Sequence, residues 1–326
     1  MKQAGETMQA AVINRFGGPE ELVVQEVPIP EIAPGEVLIR VEYASVGAWD
    51  PFEREGGYAR MLGIETRFPY VLGSEGAGSI ASVGEGVSRF KTDDHVYAPE
   101  FLNPKGGFYA EFAAVDAGYV SLTPEDLTAE QASVISGAGI TALRGLADVL
   151  NLGRGESVAV FGASGGVGHV AVQLARQMGA RVFAVASGRD GVALVKRLGI
   201  DCVIDGRRDK ISSAIRSFGF GELDAALLTA GGEGAGEVVS CVRSGGRVVF
   251  PNGIHPEPQP RPDVRINGYN AEPGPDIIRR LGSFIESGAV KPHIDRVFPL
   301  DRAADAHRYL DLHHPGKIAL RVIRPK

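Results

Sequence analysis

One segment of the 326-residue chain constrains its fold more than any other: residues 157–180, with the sequence SVAVFGASGGVGHVAVQLARQMGA. Its opening run of β-branched and apolar residues predicts a strand that ends at Phe161. A glycine-rich turn follows, and then a segment with the spacing of an amphipathic helix. A strand, a glycine-rich turn and a helix in this order are typical of the first unit of a dinucleotide-binding sheet.

The turn itself supplies candidate phosphate ligands. Gly165 and Gly166 would let the backbone approach a pyrophosphate, and Gly168 would let the helix pack closely on the strand. The first N–H groups of the helix would face the phosphates together with the positive end of the helix dipole. We therefore predict that the cofactor contacts Ser164, Gly165, Gly166 and Val167. The alternative is a glycine-rich turn that binds no ligand.

Residues 129–270 continue this rhythm of strands and helices. Segments of helical length alternate with apolar runs that suit strands buried on both faces of a parallel sheet: RVFAVA, CVID, LDAALL and GRVVF. The alternation predicts the α/β class, with a doubly wound parallel sheet of the Rossmann type. The proline-rich stretch 251–275 is predicted to be an extended loop that is in part an edge strand.

The residues after the second strand of this sheet indicate which cofactor it binds. An acidic residue there would bind the ribose 2′-hydroxyl of NAD, whereas the Ser187 hydroxyl and the Arg189 guanidinium suit a 2′-phosphate. We therefore predict NADPH. Asp190 follows at once and leaves an alternative open, in which Asp190 binds the ribose and Arg189 is a solvated charge.

The flanking sequence has a different texture. Residues 9–128 carry short alternating runs divided by glycine and proline, which predicts a β-rich, barrel-like unit. The tail holds two helical and two strand-like segments, and we expect it to return to this unit. The predicted division is a substrate domain of residues 1–128 plus 271–326 and an inserted dinucleotide-binding domain of residues 129–270.

Composition excludes several other classes. The net charge of −6 argues against nucleic acid as a partner. No apolar stretch reaches the length of a membrane helix, and the first residues lack the order of a secretory signal, so we expect a cytoplasmic protein with no membrane partner. The two cysteines, Cys202 and Cys241, exclude a disulfide scaffold and a cysteine-rich zinc lobe.

Motifs spread from about Met8 to Ile323 carry a family resemblance. They are FGGPEEL, PGEVLIRV, SVGAWD, PYVLGSEGAGSIASVGEGV, GGFYAEF, GITAL, GASGGVG and GKIALRV. Together they resemble the medium-chain dehydrogenase/reductase superfamily, in its zinc-free, quinone-oxidoreductase-like branch. The resemblance implies a GroES-like barrel domain with an inserted Rossmann domain. It also implies a homodimer, with its seam at the edge of the Rossmann sheet near Val248–Ile254.

Zinc-containing members of this superfamily bind the metal at three points, which fall here on Gly47, Ser74 and Gly137. The usual Cys, His and Cys are missing, and none of the three residues present is a soft ligand, so we expect no metal. Without a Lewis acid, oxidation of a simple alcohol is disfavoured. The resemblance therefore implies reduction of a small-molecule substrate whose own carbonyls accept charge, a quinone or an α,β-unsaturated carbonyl compound.

The resemblance also assigns residues to roles. It places the substrate mouth at residues 45–58, where Asp50 matches the family's acid and Tyr58 matches the proton donor of enoyl-thioester reductases. The residues alone allow a structural role for either, a turn hydrogen bond for Asp50 and packing for Tyr58. Residues predicted to lie beside the nicotinamide or its ribose are Thr141, Gly231, Asn252 and Gly253.

The tail and the mouth carry further polar residues. We predict that His313 and His314 are solvated, because adjacent residues face different ways. Lys317 is predicted to lie at the surface, with contact to a cofactor phosphate as the alternative. Basic residues near the mouth would be needed for the phosphates of an enoyl thioester, and the candidates are Arg54, Arg60 and Arg67.

Three functions stay open on the sequence. Reduction of a quinone or an α,β-unsaturated carbonyl by NADPH is favoured. Enoyl-thioester reduction with Tyr58 as proton donor is the nearest alternative. The third is a redox sensor that binds NADPH and consumes none.

Overall fold

A computed structural model describes residues 6–323, so residues 1–5 and 324–326 of the predicted substrate domain lie outside the described part. The strands are β1 Thr7–Ile13, β2 Val23–Pro28, β3 Glu36–Val46, β4 Tyr70–Val71, β5 Glu75–Val83, β6 His95–Pro99, β7 Phe112–Asp116, β8 Ser121–Leu122, β9 Ser157–Phe161, β10 Arg181–Ala186, β11 Val203–Asp205, β12 Leu223–Leu228, β13 Val242–Pro251, β14 Arg265–Tyr269, β15 Ile294–Pro299 and β16 Lys317–Arg321. The helices are α1 Trp49–Arg54, α2 Gly57–Leu62, α3 Ala129–Ala132, α4 Ser136–Leu143, α5 Gly168–Gln177, α6 Gly188–Arg197, α7 Ile211–Ser217, α8 Glu233–Ser240, α9 Pro275–Glu286 and α10 Ala303–Tyr309. Short 3₁₀ turns cover Pro19–Glu21, Ala117–Tyr119 and Leu300–Arg302, and a π-helical turn covers Arg144–Val149.

The central sheet has six strands in the order β11-β10-β9-β12-β13-β14, and all neighbours are parallel. Its inner strands β9 and β12 are buried on both faces over most of their length, as their largely apolar sequences predict. The strand order reverses between β9 and β12, which is the point where ligands bind in open α/β sheets, beyond the carboxyl ends of the strands. The predicted α/β class and the Rossmann sheet are confirmed.

The edge of this sheet lies further along the chain than the predicted seam. Within the part of the chain that the structure describes, β14 pairs only with β13. Val248 is paired on both sides, with Ala226 of β12 and Ile266 of β14, so its backbone offers no free edge. Placing the sheet edge at Val248–Ile254 was therefore wrong, whereas the edge strand expected within residues 251–275 is confirmed as β14.

The remaining strands form two mostly antiparallel sheets. One has the order β2-β1-β4, and the other has the order β15-β16-β3-β5-β6-β8 with β7 also paired to β3. A bridge between Ala10 and Ala110 joins the two sheets. Strand β16, from the end of the chain, pairs antiparallel with β3 near its start. The exact domain boundaries stay a prediction.

The tail also packs against the Rossmann sheet's helices. In α4, Gly139 lies so close to α9 that a Cβ there would be 2.6 Å from a Leu281 methyl carbon. The turn before β16 reaches the glycine-rich loop after β9, where the Gly316 N–H donates to the Ser164 carbonyl at 2.7 Å. The site described below lies at this contact. No helix within residues 6–323 has the length and apolar character needed to cross a membrane.

Candidate active site

The loop after β9 has the shape that its glycines predict. Gly168 begins α5, and a Cβ there would be 2.0 Å from the Gly162 carbonyl oxygen, so the helix can approach the strand only with glycine. A Cβ on Gly165, by contrast, would meet only the Gly162 oxygen, at 3.4 Å, among the described residues. The cap position of α5 is Val167, whose side chain has no polar atom to cover the first N–H groups. The loop therefore fits the diphosphate of a nicotinamide cofactor.

A buried histidine holds this loop from behind. His169 Nε2 accepts a hydrogen bond from the His293 backbone N–H at 3.1 Å, so its Nδ1 carries the proton and donates to the Gly165 carbonyl at 2.9 Å. Burial lowers the pKa of His169 to about 4, which keeps the ring neutral. The Gly165 carbonyl is thereby fixed. The Gly165 N–H donates to the Gly162 carbonyl at 2.9 Å, so a ligand would meet the N–H groups that follow it in the loop.

Ser164 ties the loop to the second strand instead of reaching outward. Its buried hydroxyl accepts a hydrogen bond from Ser187 N–H at 3.2 Å. A Cβ on Gly191 would be 2.6 Å from this hydroxyl oxygen. Ser164 thus orders the ends of β9 and β10 side by side, which brings Ser187 to the phosphate loop.

The end of β10 differs from the prediction in one respect. Arg189 and Asp190 are exposed at the start of α6. Asp190 accepts a hydrogen bond from His313 Nε2, which lies 3.0 and 3.1 Å from its two oxygens. This hydrogen bond lowers the pKa of Asp190. His313 is exposed, as predicted, but the tail also brings it to a hydrogen-bond partner 123 positions away, which the sequence did not indicate.

The residues predicted beside the nicotinamide lie around the carboxyl ends of β12 and β13. Gly231 passes so close to the backbone of the next loop that a Cβ would be 2.5 Å from the Pro256 carbonyl oxygen. Asn252 donates to the side chain of Asn270 at 2.8 Å, and Gly253 has a positive φ of 97°. Their contact with a cofactor stays a prediction.

Thr141 is buried in α4, and its groups already have protein partners. The hydroxyl donates to the Gly137 carbonyl one turn earlier, at 2.8 Å. The Thr141 carbonyl accepts a hydrogen bond from the Tyr269 hydroxyl, also at 2.8 Å. Both bonds hold Thr141 within the fold, and a cofactor contact would require the hydroxyl to turn from its own helix.

The three points that bind zinc in the metal-containing branch lie around a charged pair. A Cβ on Gly47 would be 3.7 Å from Lys317 Nζ, and one on Gly137 would be 3.2 Å from Glu75 Oε1. An ammonium group cannot ligate a cation, and Ser74 adds only a hydroxyl. Between residues 6 and 323 no group of three His, Cys, Asp or Glu side chains could hold a metal ion. The residues present therefore do not fit zinc.

The charged pair itself is buried. Lys317 Nζ lies 2.9 Å from Glu75 Oε1, and the lysine is only 9% exposed, so the predicted surface position is wrong. Burial opposes ionisation of Glu75, but the Lys317 charge and hydrogen bonds from Gly137 N–H and Ser136 lower its pKa below the ordinary value. The lysine stem also runs beside Gly166, where a Cβ would be 3.1 Å from it. Lys317 thus links the phosphate loop to the mouth.

Asp50 lies behind the mouth with no exposed surface. One of its oxygens accepts hydrogen bonds from the Gly47 N–H at 2.8 Å and the Tyr109 hydroxyl at 2.9 Å. The Ser74 hydroxyl lies 3.5 Å from the other oxygen. Burial raises the pKa of Asp50 to about 6. The carboxyl therefore fixes the backbone of the mouth from inside the protein.

The hydrogen bonds continue from Asp50 through a buried chain. The Arg54 guanidinium can only donate, so His307 Nδ1 accepts from it at 2.8 Å and His307 Nε2 carries the proton. That proton points to the Tyr109 hydroxyl at 3.1 Å, which in turn donates to Asp50. Burial and then the Arg54 charge lower the pKa of His307 to about 3. Arg54 is buried too, so its predicted place in a phosphate-binding patch is wrong.

Tyr58 stands in an aromatic group at the mouth. Its ring stacks on Trp49 with 5.7 Å between the ring centroids and meets Phe52 edge-on at 4.8 Å. Burial, followed by the nearby carboxyl groups of Glu53 and Asp50, raises the pKa of the Tyr58 phenol above its ordinary range. The hydroxyl therefore keeps its proton at neutral pH.

A cavity of about 210 Å³ opens beside Tyr58, and Glu53 and Tyr70 are among its lining residues. Glu53 is 7% exposed and accepts a hydrogen bond from the Tyr70 hydroxyl at 2.5 Å. Burial raises the pKa of Glu53 to about 7. Sequence reasoning missed this carboxyl; the available signal was its place one helical turn after Asp50, on the same face of α1.

Comparison with known proteins extends these observations over the whole chain. The family model of the alcohol dehydrogenase GroES-like domain matches residues 33–125, and that of zinc-binding dehydrogenases matches residues 198–320. The quinone oxidoreductase of Mus musculus is 33% identical over 327 residues, which cover 95% of this chain and 96% of that protein. The chloroplastic NADPH-dependent alkenal/one oxidoreductase of Arabidopsis thaliana is 31% identical over 323 residues, 96% of this chain and 79% of that protein.

Solved structures agree with these relatives. The quinone oxidoreductase from Coxiella burnetii superposes with a TM-score of 0.82 at 26% identity, covering 98% of this chain and all of that one. The similarity therefore spans both the Rossmann sheet and the sheets around it.

Proposed function

The chain belongs to the medium-chain dehydrogenase/reductase superfamily, and on that basis we propose that it transfers hydride from NADPH to a quinone or an α,β-unsaturated carbonyl compound without zinc. The observation that carries the proposal is a single juxtaposition. The loop after β9, whose backbone N–H groups would bind the cofactor phosphates, lies beside the substrate mouth. At the mouth, the positions that bind zinc in metal-containing relatives surround the Lys317–Glu75 ion pair. The names of the mouse and Arabidopsis relatives support the same substrate class.

The cofactor would be held by residues from two strand ends. Ser164, Gly165, Gly166 and Val167 would hold the diphosphate, and Ser187 and Arg189 would face the adenosine end. When bound, the cofactor supplies the hydride. The protein's own part is to fix the loop, exclude water and orient the acceptor.

The mouth offers an aromatic surface to the acceptor. The stacked rings of Trp49 and Tyr58 suit a flat conjugated molecule, and the adjoining cavity of about 210 Å³ leaves room for it. We give Asp50 a positioning role, because its oxygens are fully buried and hold the Gly47 N–H. Tyr58 is the candidate proton donor, since its hydroxyl stays protonated at neutral pH.

Enoyl-thioester reduction is the second candidate, and the protonated Tyr58 favours it. After hydride reaches the β-carbon, the phenol could give its proton to the α-carbon and later recover one from water. The basic patch for the thioester's phosphates is smaller than predicted, since Arg54 is buried and only Arg60 and Arg67 are exposed.

Turnover with a panel of acceptors tests the proposal. Wild-type protein and NADPH are mixed with a benzoquinone, a 2-alkenal or crotonyl-coenzyme A, and NADPH oxidation is followed by absorbance. Faster turnover of the quinone or the alkenal supports the first function, and faster turnover of the thioester supports the second. NADPH binding without turnover of any acceptor would contradict both and favour a sensor.

A further inference from the structure

Three charged or polar side chains meet beyond the ends of β10 and β11, outside the site described so far. His313 Nε2 lies 3.0 Å from Asp190 Oδ1, and His313 Nδ1 lies 3.1 Å from the Arg207 guanidinium. A histidine thus bridges an acid after the second strand and an arginine after the third. In dinucleotide-binding sheets the end of the second strand faces the adenosine ribose.

The direction of these hydrogen bonds follows from their donors. A guanidinium can only donate, so the Arg207 bond makes His313 Nδ1 an acceptor and puts the ring proton on Nε2. That proton lies between the two oxygens of Asp190. The Gly191 N–H also donates to Asp190 Oδ1, at 2.9 Å. Asp190 is 54% exposed, yet both of its oxygens have a donor.

His313 is held in this place by its own backbone. The turn that carries it continues to Gly316, whose N–H donates to the Ser164 carbonyl in the phosphate loop at 2.7 Å. The ring packs over the start of α6, where a Cβ on Gly188 would be 3.2 Å from His313 Nε2. The turn before β16 therefore places the His313 side chain beside the carboxyl end of β10 in the Rossmann sheet.

Arg207 is fixed to the same turn from the other side. The buried carboxylate of Asp205 accepts from the Gly188 N–H at 2.9 Å and from the Arg207 N–H at 3.1 Å. This shared acceptor holds the start of α6 and the residue after β11 together. Arg189 is exposed at the start of α6, next to Asp190 in the sequence.

We propose that His313 and Arg207 select NADPH over NADH. His313 donates to the oxygens of Asp190, which would otherwise accept a hydrogen bond from a ribose 2′-hydroxyl, and it also holds Arg207, which would give a 2′-phosphate a cation with several donors. The inference rests on the proposed NADPH dependence and deepens it. It also addresses the conflict between Arg189 and Asp190 in the sequence, because a residue from a distant part of the chain already donates to the acid.

The test is equilibrium binding of NADPH and of NADH, followed by cofactor fluorescence in the full-length protein. For His313→Ala we expect NADPH affinity to fall about tenfold while NADH affinity stays or rises, because Asp190 is released. For Arg207→Met we expect a similar loss for NADPH alone. His95→Ala and Arg279→Met, exposed positions elsewhere in the described chain, are the matched controls.

A second variant keeps the test independent of folding. If His313 acts by covering the acid, then adding Asp190→Asn to His313→Ala restores most of the NADPH preference. Equal losses for both cofactors in His313→Ala, or no rescue by the added change, would overturn the inference. If wild type prefers NADPH and both single variants keep that preference, only this inference fails; if wild type binds NADH better or binds neither cofactor, the proposed function fails as well.

Discussion

The phosphate loop and the substrate mouth are both polar sites in an apolar interior, yet they are built from different atoms. The loop spans residues 162–168, and the groups that we propose for its ligand are backbone N–H groups that glycine leaves accessible. The mouth rests on side chains that lie far apart in sequence. Tyr109 meets His307 across 198 positions, and Arg54 meets His307 across 253.

This difference determines how each region should respond to change. In the loop a side chain acts by the space it fills, so an added Cβ blocks either the ligand or the helix. In the mouth a side chain acts through its partner, so its removal leaves a buried polar group without a hydrogen bond or counter-charge. Lys317 belongs to both regions, since it packs on Gly166 and pairs with Glu75.

Replacing Lys317 tests the mouth most severely. Lys317→Met leaves the Glu75 carboxylate buried without its cation, and we expect the free energy of unfolding to fall by about 3–5 kcal/mol. Urea denaturation measures this loss. The double variant Lys317→Met/Glu75→Gln should recover much of it, and a single variant as stable as wild type would contradict the assigned pairing.

Tyr58→Phe sharpens the comparison at the mouth's surface. The change keeps the stacked ring and removes only the hydroxyl, so we expect turnover of an enoyl thioester to fall about 10²-fold or more with cofactor binding unchanged. Steady-state kinetics beside a binding titration separate the two effects. Unchanged turnover would remove Tyr58 from the mechanism and leave it a packing role.

A substitution in the phosphate loop should have the opposite result, with cofactor affinity lost and stability kept. Gly165→Val adds a side chain where the described residues leave open space, so we expect unchanged thermal stability and at least a roughly tenfold loss of NADPH affinity. Gly168→Ala is the matched control, because its Cβ would meet the Gly162 carbonyl and should destabilise the fold. Full NADPH affinity in Gly165→Val would show that the cofactor does not use this loop.

The most gradual predicted effect is a dependence of stability on pH. The pKa of Glu53 is raised by burial from 4.5 to about 7, so the folded state holds a proton that the unfolded state loses as pH rises between these values. The free energy of unfolding should therefore decrease across this window, by about 1 kcal/mol per pH unit from this group. The stabilisation that Glu53 contributes is fully present below its unfolded pKa and is lost as the pH rises through its folded pKa.

Glu53→Gln removes that proton exchange. Urea denaturation at a series of pH values should give a shallower decrease for the variant than for wild type. Asp50, whose pKa is raised to about 6, also titrates in both proteins, so the decrease should become shallower and not disappear. Identical slopes would mean that Glu53 is solvated.

Sequence was most informative where function rests on local geometry. The run from Ser157 to Gly168 predicts the strand, the turn and the helix, because Gly165 and Gly168 both approach Gly162 within the same loop. The alternation of strands and helices likewise predicts the Rossmann sheet, since parallel strands buried on both faces need this pattern. The edge strand β14 followed from the prolines around it.

Sequence failed where a partner comes from a distant segment. His313, Lys317 and Arg54 look like surface residues in isolation, but each meets a group more than a hundred positions away. No rule of sequence spacing relates such pairs, because they come together only when the end of the chain folds back and β16 pairs with β3. Glu53 escaped notice for a related reason: its burial depends on Tyr70 and the loop around it.

The most direct test of the account is a fluorescence titration of the wild-type protein with NADPH and, separately, with NADH. We expect saturable binding of NADPH, with a clear preference over NADH, at the loop formed by residues 162–168. Binding of neither cofactor would contradict the nucleotide site itself, and a preference for NADH would contradict the selection of the 2′-phosphate.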